Sequence, residues 1–189
     1  MTDDPLALST RTGLPDALRV LLADYPRDLW TSHRHFDGLT RFWLERHMGF
    51  RQLTGTLQGR TRSFLDTPGD PRQEARQTAR LAGALIEHLH GHHQIEDQHY
   101  FPVLAAAETR LERGFAILDA DHHALDATLH AMAEATNAYL RALVEGRATR
   151  DAAGAFEARL DGFERLLDRH LTDEEDLVVP VILHHAPRL

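Results

Sequence analysis

The sequence contains no cysteine and no lysine among its 189 residues. Without cysteine the chain cannot form disulfides, use a thiol in catalysis or bind metal through thiolates, and this composition fits a reducing compartment. No run of eighteen apolar residues is present, so we expect no membrane span and no membrane partner. The first residues, MTDDPLALST, lack the charged and then apolar order of a signal peptide, and we therefore expect a cytoplasmic protein.

Basic charge is also scarce, since the formal net charge is −8 at pH 7. Because nucleic-acid phosphates require a basic face, this balance argues against nucleic acid as a main partner. Histidine is abundant instead, with 14 residues. Its imidazole is the commonest metal ligand in proteins and titrates near neutrality, so metal binding becomes the first function to test against the sequence.

Proline and glycine divide the chain into an arm and a domain. They punctuate residues 1–27, which we interpret as an N-terminal arm with at most a short helix near 15–24. Residues 28–189 hold four long stretches of helical periodicity, with breaks at 69–71, 102–108 and 145–151. Four such helices with short connections predict an all-α domain, an antiparallel up-down four-helix bundle.

Each stretch carries an apolar stripe with steps of three and four residues, which is typical of an amphipathic helix. Histidines, and in two stripes glutamates, interrupt the apolar residues. The stripes run Phe36, Leu39, Trp43, His47, Phe50, Leu53 and Leu57; Leu81, Leu85, Leu89, His92, Glu96, His99 or Tyr100, and Val103; Leu111, Phe115, Leu118, His122, Leu125, Leu129 and Met132; and Phe156, Leu160, Phe163, Leu167, His170, Glu174, Leu177 and Val181. The predicted interior of the bundle therefore contains ionisable groups.

The segment HGHHQIEDQHYFP offers two pairs of a histidine with an acid four residues later, His92 with Glu96 and His93 with Asp97. One residue along a helix turns its face by about 100°, so the two pairs point in different directions. His92 and Glu96 are in line with the apolar residues of the second stripe. The sequence favours this pair and predicts that His93 and Asp97 lie towards solvent.

An internal repeat supports this choice. HHQIEDQHYFP, which begins at His92, matches HLTDEEDLVVP, which begins at His170, in a histidine, a glutamate four residues later and a proline ten residues later. The single histidines His47 and His122 correspond in the same way. The residue equivalent to His93 is a leucine, which argues against the second pair. HAMAE at 130–134 has the same spacing, but it lies off its stripe and no proline follows.

These features predict a metal site rather than an incidental set of core residues. Residues four apart on a helix project from one face about 6 Å apart, so both can reach a metal in the bundle interior. Imidazole suits iron, zinc or copper, a carboxylate can bridge two metals, and sites of this kind recur for paired iron or manganese. Without a metal, an unpaired buried carboxylate would cost several kcal/mol. The six candidate ligands are His47, His92, Glu96, His122, His170 and Glu174.

Over residues 36–183 the sequence resembles the hemerythrin-like, or HHE cation-binding, family. The resemblance rests on four motifs: His47-x-x-Phe50, His92-x-x-x-Glu96 followed by Tyr100-Phe101-Pro102, His122-x-x-Leu125, and His170-x-x-x-Glu174-Glu175 followed by Pro180. Members of this family bind a non-haem diiron centre inside a four-helix bundle. The resemblance implies two iron ions per chain, oxo- or hydroxo-bridged, held by the six residues above, with manganese or zinc as less favoured metals.

The sequence departs from the oxygen-carrying members in one respect. Those proteins have a His-x-x-x-His pair on the third helix, whereas the residue four after His122 is Asp126. With His47 and His92 on one metal and His122 and His170 on the other, each iron would keep an open position. We therefore expect oxidation by oxygen without a long-lived adduct and consumption of hydrogen peroxide, unless His88 or His99, both near the second stripe, adds a ligand.

Several functions stay compatible with this pattern. A non-haem diiron protein that binds or reacts with a small oxidant (oxygen, hydrogen peroxide or nitric oxide) is favoured, as a sensor or as an enzyme with peroxidase, catalase-like or oxidase activity. An iron-homeostasis module and an oxidase acting on an organic substrate are alternatives. DinB-like bundles, with three histidines on one metal, are a rival that the paired glutamates disfavour. The acidic runs DAD (119–121) and DEED (173–176) are interpreted as mostly solvated surface, and Glu175 as pointing aside.

Overall fold

The computed structural model describes residues 4–147 and 149–189. In these ranges the chain forms five α-helices and no strand: α1 (Gly38–Asp66), α2 (Pro71–Ile95), α3 (Phe101–Ala107), α4 (Glu112–Glu145) and α5 (Thr149–His185). Short 3₁₀ turns occupy Asp16–Leu18, Val20–Ala23, Arg27–Ser32 and Thr109–Leu111. The all-α prediction is confirmed. The antiparallel order of a four-helix bundle and the domain boundary at residue 28 stay predictions.

The helix ends follow local sequence signals. The Asp37 side chain accepts hydrogen bonds from the backbone N–H and the hydroxyl of Thr40 and so caps the start of α1. Pro71 is the first residue of α2, where its missing N–H is not needed. Gly146 follows α4 with a φ of 67°, the left-handed conformation that ends many helices. The three predicted breaks are confirmed, and the one predicted within residues 102–108 falls at Glu108.

Between α2 and α3, residues Glu96–Tyr100 form a π-helical turn. A π turn holds one residue more than an α turn, so the buried face after Glu96 moves forward by one position. Phe101 and Leu104 are accordingly buried, whereas Val103 is 38% exposed. The prediction that the second stripe reaches Val103 is wrong for this reason: it assumed an unbroken α-helical period.

The chain divides into two compact units. The first contains the described residues up to Met48 together with His92–Ala124 and Asp168–Leu189. Its apolar core includes Leu14, Leu21, Trp30, Trp43, Phe101, Leu104, Leu111, Phe115, Leu118, Leu177, Val179 and Val181. Residues of the predicted N-terminal arm therefore contribute to this core.

Near its C-terminal end, α5 is buried on every side over residues 173–183. From Asp173 to Leu183 each of its residues is buried, including all four acids of the DEED run. Arg11, Arg19 and Arg27 pair with Asp173, Asp176 and Glu175. The prediction of a solvated DEED run is wrong, because residues before α1 cover this side of the helix and bring arginines to its acids.

The second unit consists of Gly49–Gly91 and Leu125–Leu167. Its core contains an aromatic set in which the Tyr139 ring stacks on Phe156 and meets the edge of Phe64. None of the described helices is long and apolar enough to cross a membrane.

The close contact between α4 and α5 in the first unit gives a test of the packing. Gly114 of α4 lies so near α5 that a Cβ atom at this position would overlap the Leu177 side chain, with the Leu18 carbonyl oxygen 3.2 Å away. We expect Gly114→Ala to lower the free energy of unfolding by about 1–3 kcal/mol through overpacking. Denaturant unfolding measures the change.

Gly83 provides the matched control. It is an exposed glycine within α2, and a Cβ atom added to it would have no neighbour within 4 Å. Gly83→Ala should raise the free energy of unfolding by about 0.5–1 kcal/mol, because alanine favours the helix. Equal effects of the two substitutions would contradict the described contact between Gly114 and Leu177.

Candidate metal centre

The six residues predicted as ligands are all placed in the first unit. His47 lies on α1, His92 on α2, Glu96 in the π turn, His122 on α4, and His170 and Glu174 on α5. Five of them are at most 2% exposed, and His92 is partly buried. The described helices therefore bring all six candidates together in the interior.

One group consists of His47, His92, Glu96 and Glu174, each with a ligand atom within 4.8 Å of the others. The Nε2 atoms of His47 and His92 are 2.9 Å apart. His92 Nε2 lies 3.0 Å from Glu96 Oε1, as expected for residues four apart on a helix, and His47 Nε2 lies 3.5 Å from Glu174 Oε2. Two imidazoles and two carboxylates thus face one point.

The second group consists of His93, His122 and His170, again within 4.8 Å. His93 is 3% exposed, and its ring stacks on that of His122 with centroids 4.0 Å apart. The prediction that His93 points to solvent is wrong. At this level the buried face of α2 is wide enough to include two consecutive residues. Both His92 and His93 therefore face inward.

The glutamates lie between the two groups. Glu96 directs Oε1 towards His92, while its Oε2 is 3.8 Å from His122 Nε2. Glu174 Oε2 is 3.4 Å from His170 Nε2, besides its approach to His47. Each carboxylate therefore reaches nitrogens of both groups, which is the arrangement that a bridging ligand requires.

Trp43 fixes one of these carboxylates. Its indole N–H donates a hydrogen bond of 2.5 Å to Glu96 Oε1, and its ring centroid lies 4.1 Å from that of His47. The sequence placed Trp43 on the apolar stripe, and it is indeed buried. Its polar contact also holds Glu96 in the orientation seen here.

Further carboxylates orient three of the histidines through the ring nitrogen Nδ1. The Nδ1 atoms of His47, His122 and His170 lie 3.1, 2.7 and 3.3 Å from oxygens of Glu175, Asp97 and Asp121. An ionised carboxylate accepts a hydrogen bond, so each Nδ1 carries the proton and each Nε2 presents its lone pair to the interior. Metal-binding histidines are commonly oriented in this way.

Sequence reasoning missed all three of these carboxylates. Glu175 was expected to point aside, Asp97 to face solvent and Asp121 to belong to a solvated acidic run. Each is nevertheless adjacent in sequence to a candidate ligand: Glu96 precedes Asp97, Glu174 precedes Glu175, and His122 follows Asp121. That adjacency was the available signal, because neighbours of an inward-facing residue can turn back towards the next helix.

Several buried ligand atoms have no hydrogen-bond partner in the described part of the chain. They are the Nε2 atoms of His122 and His170, both ring nitrogens of His93, Oε2 of Glu96 and both oxygens of Glu174. Buried polar atoms are rarely left unpaired, since each costs about 1–3 kcal/mol. Unpaired nitrogen and oxygen atoms that converge on one region are the arrangement expected around a bound cation. Such a cation would coordinate them together.

Burial also determines the protonation states of these groups. Burial, followed by the proximity of His122, holds the pKa of His93 and of His170 well below its ordinary range, so both rings are neutral, the form that a metal ion requires. Burial and the nearby Glu96 carboxylate raise the pKa of Glu174 well above its ordinary value. A cation that displaced the Glu174 proton would remove the like-charge repulsion between the two glutamates.

The remaining histidines are outside these two groups. His88, His99, His123 and His130 are exposed. His184 and His185 approach Glu108 to form a third cluster at the surface. The Glu108 carboxylate there is already held by two 2.7 Å bonds from Arg110, which keep its pKa at about 2. This cluster is charge-compensated, unlike the buried groups.

Comparison with known proteins agrees with this geometry. The sequence model of the hemerythrin HHE cation-binding domain matches residues 38–182, a range that contains all seven histidines and glutamates of the two buried groups. No curated protein and no solved structure matches the chain significantly. The chain belongs to the hemerythrin HHE cation-binding domain family, and its buried histidines and glutamates form two groups that could hold metal ions.

Proposed function

We propose that the site binds two iron ions and that this non-haem diiron centre binds or reacts with a small oxidant: oxygen, hydrogen peroxide or nitric oxide. The observation that carries the proposal is the convergence of five imidazoles and two carboxylates from several helices on one buried region. Two groups joined by two carboxylates suit a pair of metals better than a single one.

The chain's residues would divide between the metals as the two groups do. His47 and His92 would hold one iron, and His93, His122 and His170 the other, with Glu96 and Glu174 between them. The oxygen-carrying members of the family have a fifth histidine on the third helix, and this chain lacks it. His93 on α2 would supply a fifth histidine instead. The expectation of an open position on both irons is replaced by an asymmetric site, in which the side with His47 and His92 has fewer nitrogen ligands.

A narrow apolar cavity reaches this less crowded side. Its volume is about 10 Å³, close to the space that one water molecule needs. Trp43 and Glu96 form its inner wall. The rest of its lining is mostly apolar: Leu39, Thr40, Tyr100, Phe101, Leu104, Val178, Ile182 and Leu189. A cavity of this size admits only a very small molecule, which favours a small oxidant over an organic substrate.

Bound iron would supply reducing equivalents and a binding position for the oxidant. The chain's own residues supply the surroundings. The apolar wall restricts water, Trp43 holds Glu96 in place, and the carboxylates behind His47, His122 and His170 keep the Nε2 lone pairs directed inward. These roles are the same for a sensor and for an enzyme that turns over peroxide.

The first test is metal content after substitution of His93. We expect the protein purified without added metal to contain close to two irons per chain. His93→Ala should lose about half of this metal, since His93 belongs to one group only, and His170→Ala should likewise lose metal. Elemental analysis with protein quantification gives the ratio.

His123→Ala is the matched control, because His123 is adjacent to His122 but its side chain is 79% exposed. It should retain all metal. If His93→Ala kept both irons, His93 would not be a ligand. One metal per chain, kept when His47 is replaced and lost when His93 is replaced, would instead indicate a single-metal site of three histidines.

The second test concerns the apolar cavity. Leu39→Trp should narrow it and slow the oxidation of the reduced protein by oxygen and by hydrogen peroxide, without loss of iron. Phe42→Trp, on the same helix at a position that is 57% exposed, is the control and should react like the wild type. Stopped-flow absorbance measures both rates. Iron-loaded protein that reacts with neither oxidant would point to iron homeostasis.

The third test uses the raised pKa of Glu174. A carboxyl whose pKa is raised is protonated at higher pH than usual, and metal can bind its oxygen only after the proton leaves. Metal uptake should therefore release protons, and metal affinity should fall as pH falls below the raised pKa. Indicator-dye titration of metal-free protein with Fe²⁺ measures the release. Uptake without proton release would contradict a role for Glu174 as a ligand.

A further inference from the structure

The described residues before α1, 4–37, are called here the N-terminal segment. Three of its arginines reach acids of the first unit. Two of these contacts continue to histidines of the candidate metal centre, and one does not. A comparison of these arginines can therefore distinguish a role in the metal centre from a role in covering α5.

Arg11 begins the first connection. Its side chain is 1% exposed, and its guanidinium binds Asp121 through two nitrogens, one of them 2.8 Å from Oδ1. A third nitrogen, Nε, donates to Asp173 at 2.8 Å. Asp121 in turn accepts from His170 Nδ1 at 3.3 Å. The order is therefore arginine, carboxylate, imidazole and then the inward-facing Nε2.

Arg27 begins the second connection, which has the same order. Its Nη1 donates to Glu175 Oε2 at 2.7 Å, and Glu175 Oε1 accepts from His47 Nδ1 at 3.1 Å. Arg27 is 44% exposed and lies over the Trp30 ring. The two connections end on histidines of different groups, His170 and His47, so the segment reaches both sides of the centre.

Arg19 is the arginine of the segment that binds an acid of α5 without a connection to a histidine of the site. It binds Asp176 at 3.3 Å, on the same acidic run of α5. Within the described part of the chain, Asp176 pairs with Arg19 and Arg27 and makes no ion pair with a site histidine. An arginine can therefore neutralise an acid of α5 without being connected to a histidine of the site. Two of the three arginines nevertheless have such a connection.

We propose that Arg11 and Arg27 are positioning residues of the metal centre, which act through Asp121 and Glu175 to hold His170 and His47 in the orientation that directs Nε2 inward. The inference rests on the proposed function, because it assumes that these histidines bind metal. It assigns to the N-terminal segment a role in the site rather than that of a separate arm.

The physical basis is the fixed geometry of the guanidinium. Its planar array of donors binds a carboxylate in a defined orientation, so the carboxylate can hold an imidazole in turn. Loss of such a supporting partner typically weakens metal binding by about 10- to 100-fold. A carboxylate that has lost its arginine makes the histidine bonded to it a more basic ligand, which favours the oxidised state of the metal, so the midpoint potential should move to lower values.

The test compares Arg27→Gln with Arg19→Gln in the full-length, iron-loaded protein. Both substitutions remove one cation from the same segment and one contact from Asp176, but only the first removes the partner of Glu175. We expect Arg27→Gln to lose iron to a chelator about ten times faster than the wild type and to show a lower midpoint potential. Arg19→Gln should match the wild type in both, and Arg27→Lys should recover part of the difference.

Arg11→Lys and Arg11→Gln extend the test to His170, and Arg11→Gln should show the larger changes in iron loss and potential. Because Arg11 is buried, this variant can fail to fold, and the Arg27 series then decides alone. Equal iron loss and equal potentials for Arg27→Gln, Arg19→Gln and wild type would overturn the inference. A wild type that binds no iron would overturn the proposed function itself, which distinguishes the two failures.

Discussion

The structure of the first unit depends on how charge is accommodated in its interior. Glu96 and Glu174 are both fully buried beside five imidazoles. Two carboxylates so close together repel each other, and burial removes the water that would screen them. A bound cation would relieve this repulsion and coordinate the unpaired nitrogen and oxygen atoms at once. The chemistry of the site's own residues therefore favours metal binding.

The same requirement extends outward from the ligands. His47, His122 and His170 each rest against a carboxylate, which fixes the tautomer but adds negative charge to the interior. For two of these carboxylates an arginine of the N-terminal segment supplies the opposite charge. Each of these two carboxylates therefore lies between a histidine of the site and an arginine of opposite charge. These ion pairs explain why a segment of weak secondary structure is nevertheless packed so closely against α5.

The π turn has a comparable effect on the apolar side of the site. By adding one residue after Ile95, it keeps Glu96 inward while moving Phe101 and Leu104 into the core in place of Val103. These two residues line the narrow cavity that leads to Glu96 and Trp43. The irregular turn thus lies where a helix must present both a ligand and an apolar wall, a position in which π turns are frequent.

Much of this could be predicted from sequence alone. Helical period, the breaks between stretches and the internal repeat predict the helices and place His47, His92, Glu96, His122, His170 and Glu174 on inward faces, because these features can be recognised in the sequence itself. The family resemblance rests on the same spacings. Only the tertiary structure decided that His93 is also inside, since the width of a buried helix face depends on what packs against it. It likewise decided that Asp121 and Glu175 support histidines, because their partners Arg11 and Arg27 are more than 100 residues away in sequence.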